Sequence, residues 1–76
     1  MREKLAALCH TQWAGWMDYL FSKCTRNMDG TVTIPKWAVG RWMRQMRTHY
    51  KFLSEKEKES DGKEADKFIK LFEEEK

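Results

Sequence analysis

The sequence lacks an apolar run long enough to cross a membrane, which takes about 18 residues, and its apolar N-terminal stretch is too short for a secretory signal. It has only two cysteines, Cys9 and Cys24. Both fall in one predicted helix, about 22 Å apart at roughly 1.5 Å per residue, so they cannot form a disulfide with each other. We therefore expect reduced thiols, a cytoplasmic location and no membrane association.

Patterns typical of catalysis and of metal binding are also missing. The cysteines and histidines lack the paired spacings of a structural zinc site. Cys9 and His10 are neighbours in the sequence, and neighbouring residues do not face each other on a helix, so they do not make a nucleophile and base pair. We expect no enzymatic activity, no metal and no cofactor.

Residues 25–36, TRNMDGTVTIPK, match only the middle of a calcium-binding loop. Asn27, Asp29 and Gly30 occupy its third, fifth and sixth positions. The last position needs a carboxylate that binds calcium through both oxygens, and it holds Lys36 instead. Because Asp-Gly is a turn dipeptide and β-branched residues follow it, we predict a turn with a short extended arm between two helices.

Apolar residues at spacings of three and four predict three helices. The predicted helices are residues 3–23, residues 35–47 and an acidic C-terminal helix over 54–72. Ser54 and Glu57 form a capping box at the start of the third helix, and we expect the tail 73–76 to fray. Gly15 suggests a close approach of another backbone, or a local break, in the first helix. The fold class is mainly α: a compact three-helix domain, residues 1–76, with a short extended or β element between helices 1 and 2.

Charge is unevenly distributed along the chain, although the net charge is only +3. Residues 35–52 contain five basic residues and no acid, whereas residues 53–76 contain nine acids and six bases. Arg41, Arg44 and Arg47 recur every third residue, so their guanidinium groups can converge on one row of the second helix. This basic segment is suited to attract an anion.

Three classes of partner compete for the basic segment. Its arginines favour phosphate groups, because guanidinium binds phosphate through two parallel hydrogen bonds, and nearby Trp37, Trp42, His49 and Tyr50 offer flat surfaces for a base. A helix-turn-helix is disfavoured because the intervening loop is too long and the acidic third helix would repel DNA. Exposed Trp and Met residues would instead suit a protein partner. The plainest alternative places the tryptophans in the core and the arginines in solvent.

Two motifs resemble the RyR domain, the repeat of ryanodine receptors that also occurs as short free-standing proteins in bacteria and phages. The first combines His10-x-x-Trp13 with Trp16-x-x-Tyr19, and the second is Tyr50-x-x-Leu53-x-x-x-x-Lys58-x-x-Asp61. The resemblance covers about residues 5 to 70. The sequence departs from the family where Tyr19 is followed by Leu rather than Gly, and where Asp61 is followed by Gly rather than Arg.

The resemblance implies a non-enzymatic module that binds adenine nucleotides, ADP-ribose-type ligands or cyclic nucleotide signals. The candidate ligand-binding residues combine the family positions with the basic helix: His10, Trp13, Trp16, Tyr19, Trp37, Arg41, Arg44, Tyr50, Lys58 and Asp61. A free-standing domain leaves no room for an output module. The resemblance therefore favours a phage-encoded, homo-oligomeric sponge that sequesters an immune signal in the host cytoplasm. The alternative is an interaction module that inhibits a host protein, and nucleic-acid binding is less favoured.

Overall fold

The computed structural model describes residues 1–75, which form three α-helices, a two-stranded antiparallel sheet and one short 3₁₀ helix. In chain order the elements are α1 (Arg2–Lys23), β1 (Thr25–Arg26), β2 (Val32–Thr33), α2 (Lys36–Arg47), the 3₁₀ helix (Tyr50–Phe52) and α3 (Glu55–Glu74). The predicted three-helix fold with a β element between α1 and α2 is therefore confirmed. Within this part of the chain no helix is long and apolar enough to span a membrane.

The hairpin between α1 and α2 is held by its own side chains. Its register pairs Thr25 with Thr33 and Arg26 with Val32. Gly30 has a φ of 90°, a left-handed conformation that glycine adopts without strain, and its N–H donates to Asn27 O at 3.2 Å. Asp29 Oδ1 accepts from Thr31 Oγ1 at 2.6 Å and from Thr31 N at 3.0 Å. These bonds lower the pKa of Asp29, the hydroxyl bond most. The carboxylate thus stabilises the turn.

Helix α3 begins as predicted and runs further than predicted. Ser54 Oγ accepts from Glu57 N at 3.2 Å, and Glu57 Oε1 accepts from Ser54 N at 3.1 Å, which completes the capping box. The helix passes through Gly62 and ends at Glu74, two residues beyond the expected end. Glu75 forms an ion pair with Lys4 near the start of α1, which ties down the segment expected to fray. Residue 76 of the predicted tail lies outside the described residues.

Helices α1 and α3 form an antiparallel layer, and α2 lies against one end of it. Gln12 Nε2 donates to Glu64 O at 3.2 Å near the middle of the layer. Pro35 caps α2 instead of occupying its first turn as predicted, because its carbonyl accepts the first helical bonds from Ala38 N and Val39 N. Among residues 1–75, no third helix covers the end of the layer near the N-terminus of α1. One half of the molecule therefore has two layers and the other half has one.

The arrangement is less compact than a three-helix domain of this length is expected to be. The radius of gyration is 15.7 Å, whereas a compact chain of 76 residues has about 11 Å. Among the apolar side chains of residues 1–75, only Ala38 and Leu53 are buried, and Leu53 keeps 9% of its surface exposed. A Cβ atom added at Gly15 would meet no atom within 4 Å, and α1 continues unbroken through it. The predicted close approach or break at this glycine was therefore wrong.

Candidate functional site

An open groove of about 840 Å³ lies between the C-terminal half of α1, helix α2 and the start of α3. Its size falls in the range of small-molecule pockets, about 300–1,000 Å³. Aromatic rings from three elements line it: Trp16 and Tyr19 of α1, Trp42 of α2 and Tyr50 of the 3₁₀ helix. The site therefore depends on tertiary packing, because no single helix supplies its walls.

Trp42 connects the aromatic residues of the groove. Its ring centre lies 6.1 Å from that of Tyr19 and 6.2 Å from that of Trp37, with interplanar angles of 57° and 68°. Tilted and edge-on pairs of this kind are the favoured arrangements of aromatic rings. Tyr19 and Tyr50 also carry lysines near their rings, with Lys58 Nζ 5.9 Å from the ring centre of Tyr50. The walls consequently combine flat apolar surface with nearby positive charge.

Glu57 links the floor of the groove to α2. It is 7% exposed, and its Oε2 accepts a hydrogen bond from Arg44 Nη2 at 2.9 Å. Its other oxygen, Oε1, accepts from Ser54 N and Ser54 Oγ. The bond from Ser54 N, followed by the one from Arg44, holds the pKa of Glu57 below its ordinary value. A charged carboxylate at this position therefore couples the capping box of α3 to the position of α2.

The charged groups that line the groove are Arg41, Lys56, Glu57 and Asp61. Glu57 is neutralised by its partner Arg44, which leaves two cations and one carboxylate to meet a ligand. Arg41 presents a planar fork suited to phosphate or carboxylate groups. Asp61 is an acceptor for hydroxyl or amino hydrogens. The groove therefore combines flat apolar walls with cations, which suits a ligand that has a flat ring and a negatively charged group.

Half of the ten predicted site residues line the groove. These five are Trp16, Tyr19, Arg41, Tyr50 and Asp61. Two others touch its walls, since Lys58 lies over the ring of Tyr50 and Trp37 packs on Trp42. Asp61, at the end of the second motif, thus lies in the same groove as Arg41 of α2.

The other three predicted residues have different surroundings. His10 and Trp13 stack on each other with ring centres 5.8 Å apart, on the half of α1 that α2 does not reach. Arg44 is occupied by its ion pair with Glu57. The predicted convergence of the arginine row is also absent from the groove, because only Arg41 of the three lines it.

Sequence reasoning missed several residues that build the groove. Trp42 was named among the flat surfaces near the basic segment, and Leu53 belongs to the second motif, but neither was included among the ten candidate ligand-binding residues. Glu57 was recognised only as a capping residue. Its bond to Arg44 joins residues thirteen positions apart in different elements, and no local spacing signals such a pair. Lys56 was missed for a different reason, because a lysine in an acidic helix has the pattern of a solvent-exposed residue.

The cysteines and histidines are placed apart from the groove. Cys9 is exposed and Cys24 half-buried, and both are free thiols. His49 caps the 3₁₀ helix, with Nδ1 accepting from Lys51 N at 3.4 Å. Across residues 1–75 no group of three or more His, Cys, Asp and Glu side chains is arranged to hold a metal ion.

Comparisons of the chain with protein-family models, with curated proteins and with solved structures found no match. The resemblance to the RyR domain therefore stays a prediction.

Proposed function

We propose that this protein binds a small, flat, negatively charged ligand of the nucleotide type in the groove, without chemical conversion. The observation that carries the proposal is the groove of about 840 Å³, whose walls include four aromatic rings and Arg41. Bases stack on aromatic side chains, and each such contact is worth about 1–3 kcal/mol. Arg41 supplies the partner for a phosphate group.

The half-buried Trp42 and the exposed Trp16 and Tyr50 suit stacking without refolding of the chain. The walls are already present, so a ligand meets a largely pre-formed site. Asp61 accepts from the hydroxyl or amino groups of a nucleoside, which supports a nucleotide over inorganic phosphate. In its specific form, the proposal is sequestration of a nucleotide signal in the cytoplasm, as expected for an RyR-like phage protein.

Thermal melting with a panel of nucleotides tests the proposal. The panel contains ATP, ADP-ribose and its cyclic relatives, cyclic di- and trinucleotides, and a short DNA duplex. A ligand at 100 times its dissociation constant stabilises the folded state by about 2.7 kcal/mol. In a domain of this size each kcal/mol raises the melting temperature by about 4–8 °C. We expect one member of the panel to raise it by more than about ten degrees.

Two arginines of α2 provide a matched pair of variants. Arg41→Ala removes the cation from the groove and is expected to abolish the shift, whereas Arg47→Ala removes the same charge outside the groove and is expected to retain it. Mass spectrometry of the ligand released by denaturation is expected to return it unchanged. A flat response across the panel, or equal responses of the two variants, would refute the proposal. Recovery of a cleaved ligand would replace binding with catalysis.

A further inference from the structure

The chain exposes more surface than a compact chain of its mass. Its accessible surface is 6544 Å², whereas a compact protein of 9.2 kDa exposes about 4,900 Å². The difference is about 1,600 Å² per chain. The backbone extends over 49 × 32 × 16 Å, so it forms a thin slab. The excess accessible surface therefore belongs to the broad faces of this slab.

Part of the excess surface belongs to the half of the α1–α3 layer that α2 does not cover. We call this area the bare half, and its residues are Trp13, Ala65, Phe68 and Phe72. Trp13 precedes Met17 by one turn of α1, and Met17 lines the groove beneath α2. On α3, the other three follow Asp61 of the groove at spacings of four, three and four residues, which keeps them on its side of the helix. The bare half therefore continues the surface that α2 covers. Trp13 is 58% exposed there and Phe72 49%.

Helix α2 presents a second apolar surface along one of its sides. Val39, Met43 and Met46 follow one another at spacings of four and three residues, so they form one stripe of the helix, and all three are exposed. Aromatic residues and methionine are enriched in the centres of protein interfaces. Helix α2 therefore projects from one half of the layer with an exposed apolar stripe, next to the bare half.

We propose that a second copy of this chain covers the bare half. In a pair related by a two-fold axis, α2 of each copy lies on the bare half of the other, so both unpartnered surfaces are covered by one operation. If the contact covers the excess of about 1,600 Å² on each copy, the pair buries about 3,200 Å² in total, within the roughly 2,000–5,000 Å² of permanent homodimers. The excess surface of the single chain is therefore large enough for a stable dimer.

The charges of the two helices support this occupant. Helix α2 contains four basic residues and no acid, and α3 contains eight acids and five lysines. Within one chain, their ion pair joins Arg44 to Glu57 at the start of α3. Asp66 and Glu73 lie three residues before and four residues after Ile69, an exposed residue of α3 next to the bare half, so they would lie beside α2 of the partner copy. Complementary charge at the edge of an apolar contact favours this pairing over a neutral partner.

The mass of the ligand-free protein tests the dimer independently of nucleotide binding. Light scattering after size exclusion, over a wide range of concentrations, is expected to give about 18 kDa, twice the chain mass of 9.2 kDa. Trp13→Glu places a charge in the interface and is expected to give 9.2 kDa with retained helical circular dichroism. Met28→Glu replaces an equally apolar but fully exposed side chain at the hairpin tip and is expected to remain dimeric.

Three results would overturn the inference. A mass of 9.2 kDa at every concentration, together with a melting temperature independent of concentration, would leave the bare half to a different protein or to solvent. A dimer that persists in Trp13→Glu would place the interface elsewhere. A dimer that both substitutions dissociate equally would show that the effect is not specific to the bare half.

Discussion

Leu53 offers a direct measure of how much the small core contributes to stability. It is 9% exposed and lies between the 3₁₀ helix and α3, where its side chain lines the groove. Leu53→Ala removes three carbon groups, worth about 0.8 kcal/mol each, or about 2.4 kcal/mol in total. The void that remains opens into the groove, so water fills it and the additional cavity cost is small. We therefore expect a loss of about 2–3 kcal/mol.

Urea unfolding followed by circular dichroism, at one fixed protein concentration, measures this loss. In a domain of 60–100 residues it corresponds to a melting temperature lower by about 10–20 °C. Phe52→Ala is the matched control, because Phe52 is adjacent and larger but 72% exposed; its packing on His49 and Lys51 limits the expected loss to about 0.5–1 kcal/mol. Equal losses in the two variants, or a loss below about 1 kcal/mol for Leu53→Ala, would refute the assignment of Leu53 to the core.

Two further substitutions test the electrostatics of α3 and the backbone of α1. The pKa of Glu57 is lower in the folded chain than its ordinary value of 4.5, so its contribution is complete above about pH 4.5 and is lost as the pH falls through the folded value. Urea unfolding at several pH values is expected to show that the free energy of unfolding falls less steeply with acid in Glu57→Gln than in the unsubstituted protein. Glu59→Gln is expected to keep the pH dependence of the unsubstituted protein. The same pH dependence in both variants would contradict the role of Glu57. Gly15→Ala is expected to stabilise the chain by about 0.5–1 kcal/mol, because the added Cβ meets no atom within 4 Å, whereas Gly30→Ala, at a φ of 90°, is expected to destabilise it. A loss of stability in Gly15→Ala would show that another backbone does approach this position.

The helices were predictable because their signals are local. The spacing of apolar residues defined α1 and α2 within one or two residues, and the capping box of Ser54 and Glu57 located the start of α3. The end of α3 was misjudged because the acidic tail has no local partner. Its partner, Lys4, lies 71 residues earlier in the chain, and sequence spacing carries no information about such a contact.

The groove was predictable only in part, because its residues meet through contacts between elements. The aromatic and basic residues were recognised as candidates. Arg41 and Arg44 are three residues apart on one helix, so their spacing predicts the same surroundings for both. The structure separates them: Arg44 turns to Glu57, which the fold buries, while Arg41 stays at the groove. The position of the Glu57 carboxylate at the start of α3 decides which of the two arginines is available to a ligand, because Glu57 pairs with Arg44. Periodicity within α2 cannot distinguish them.

The ion pair of Arg44 and Glu57 is one of few contacts that fix the position of α2, and therefore the walls of the groove, in a single chain. Helix α2 is held to α3 by the ion pair of Arg44 and Glu57 and by few buried apolar groups, and α2 carries Trp42, which connects the aromatic walls. In the proposed pair, the second copy would add apolar contacts to the exposed stripe of α2, whose other side faces its own layer, and so restrict the movement of α2. A ligand that requires the assembled walls then favours the associated form, because any equilibrium that stabilises the binding-competent state is linked to binding. Self-association and ligand binding have separate tests, but the position of α2 joins them physically.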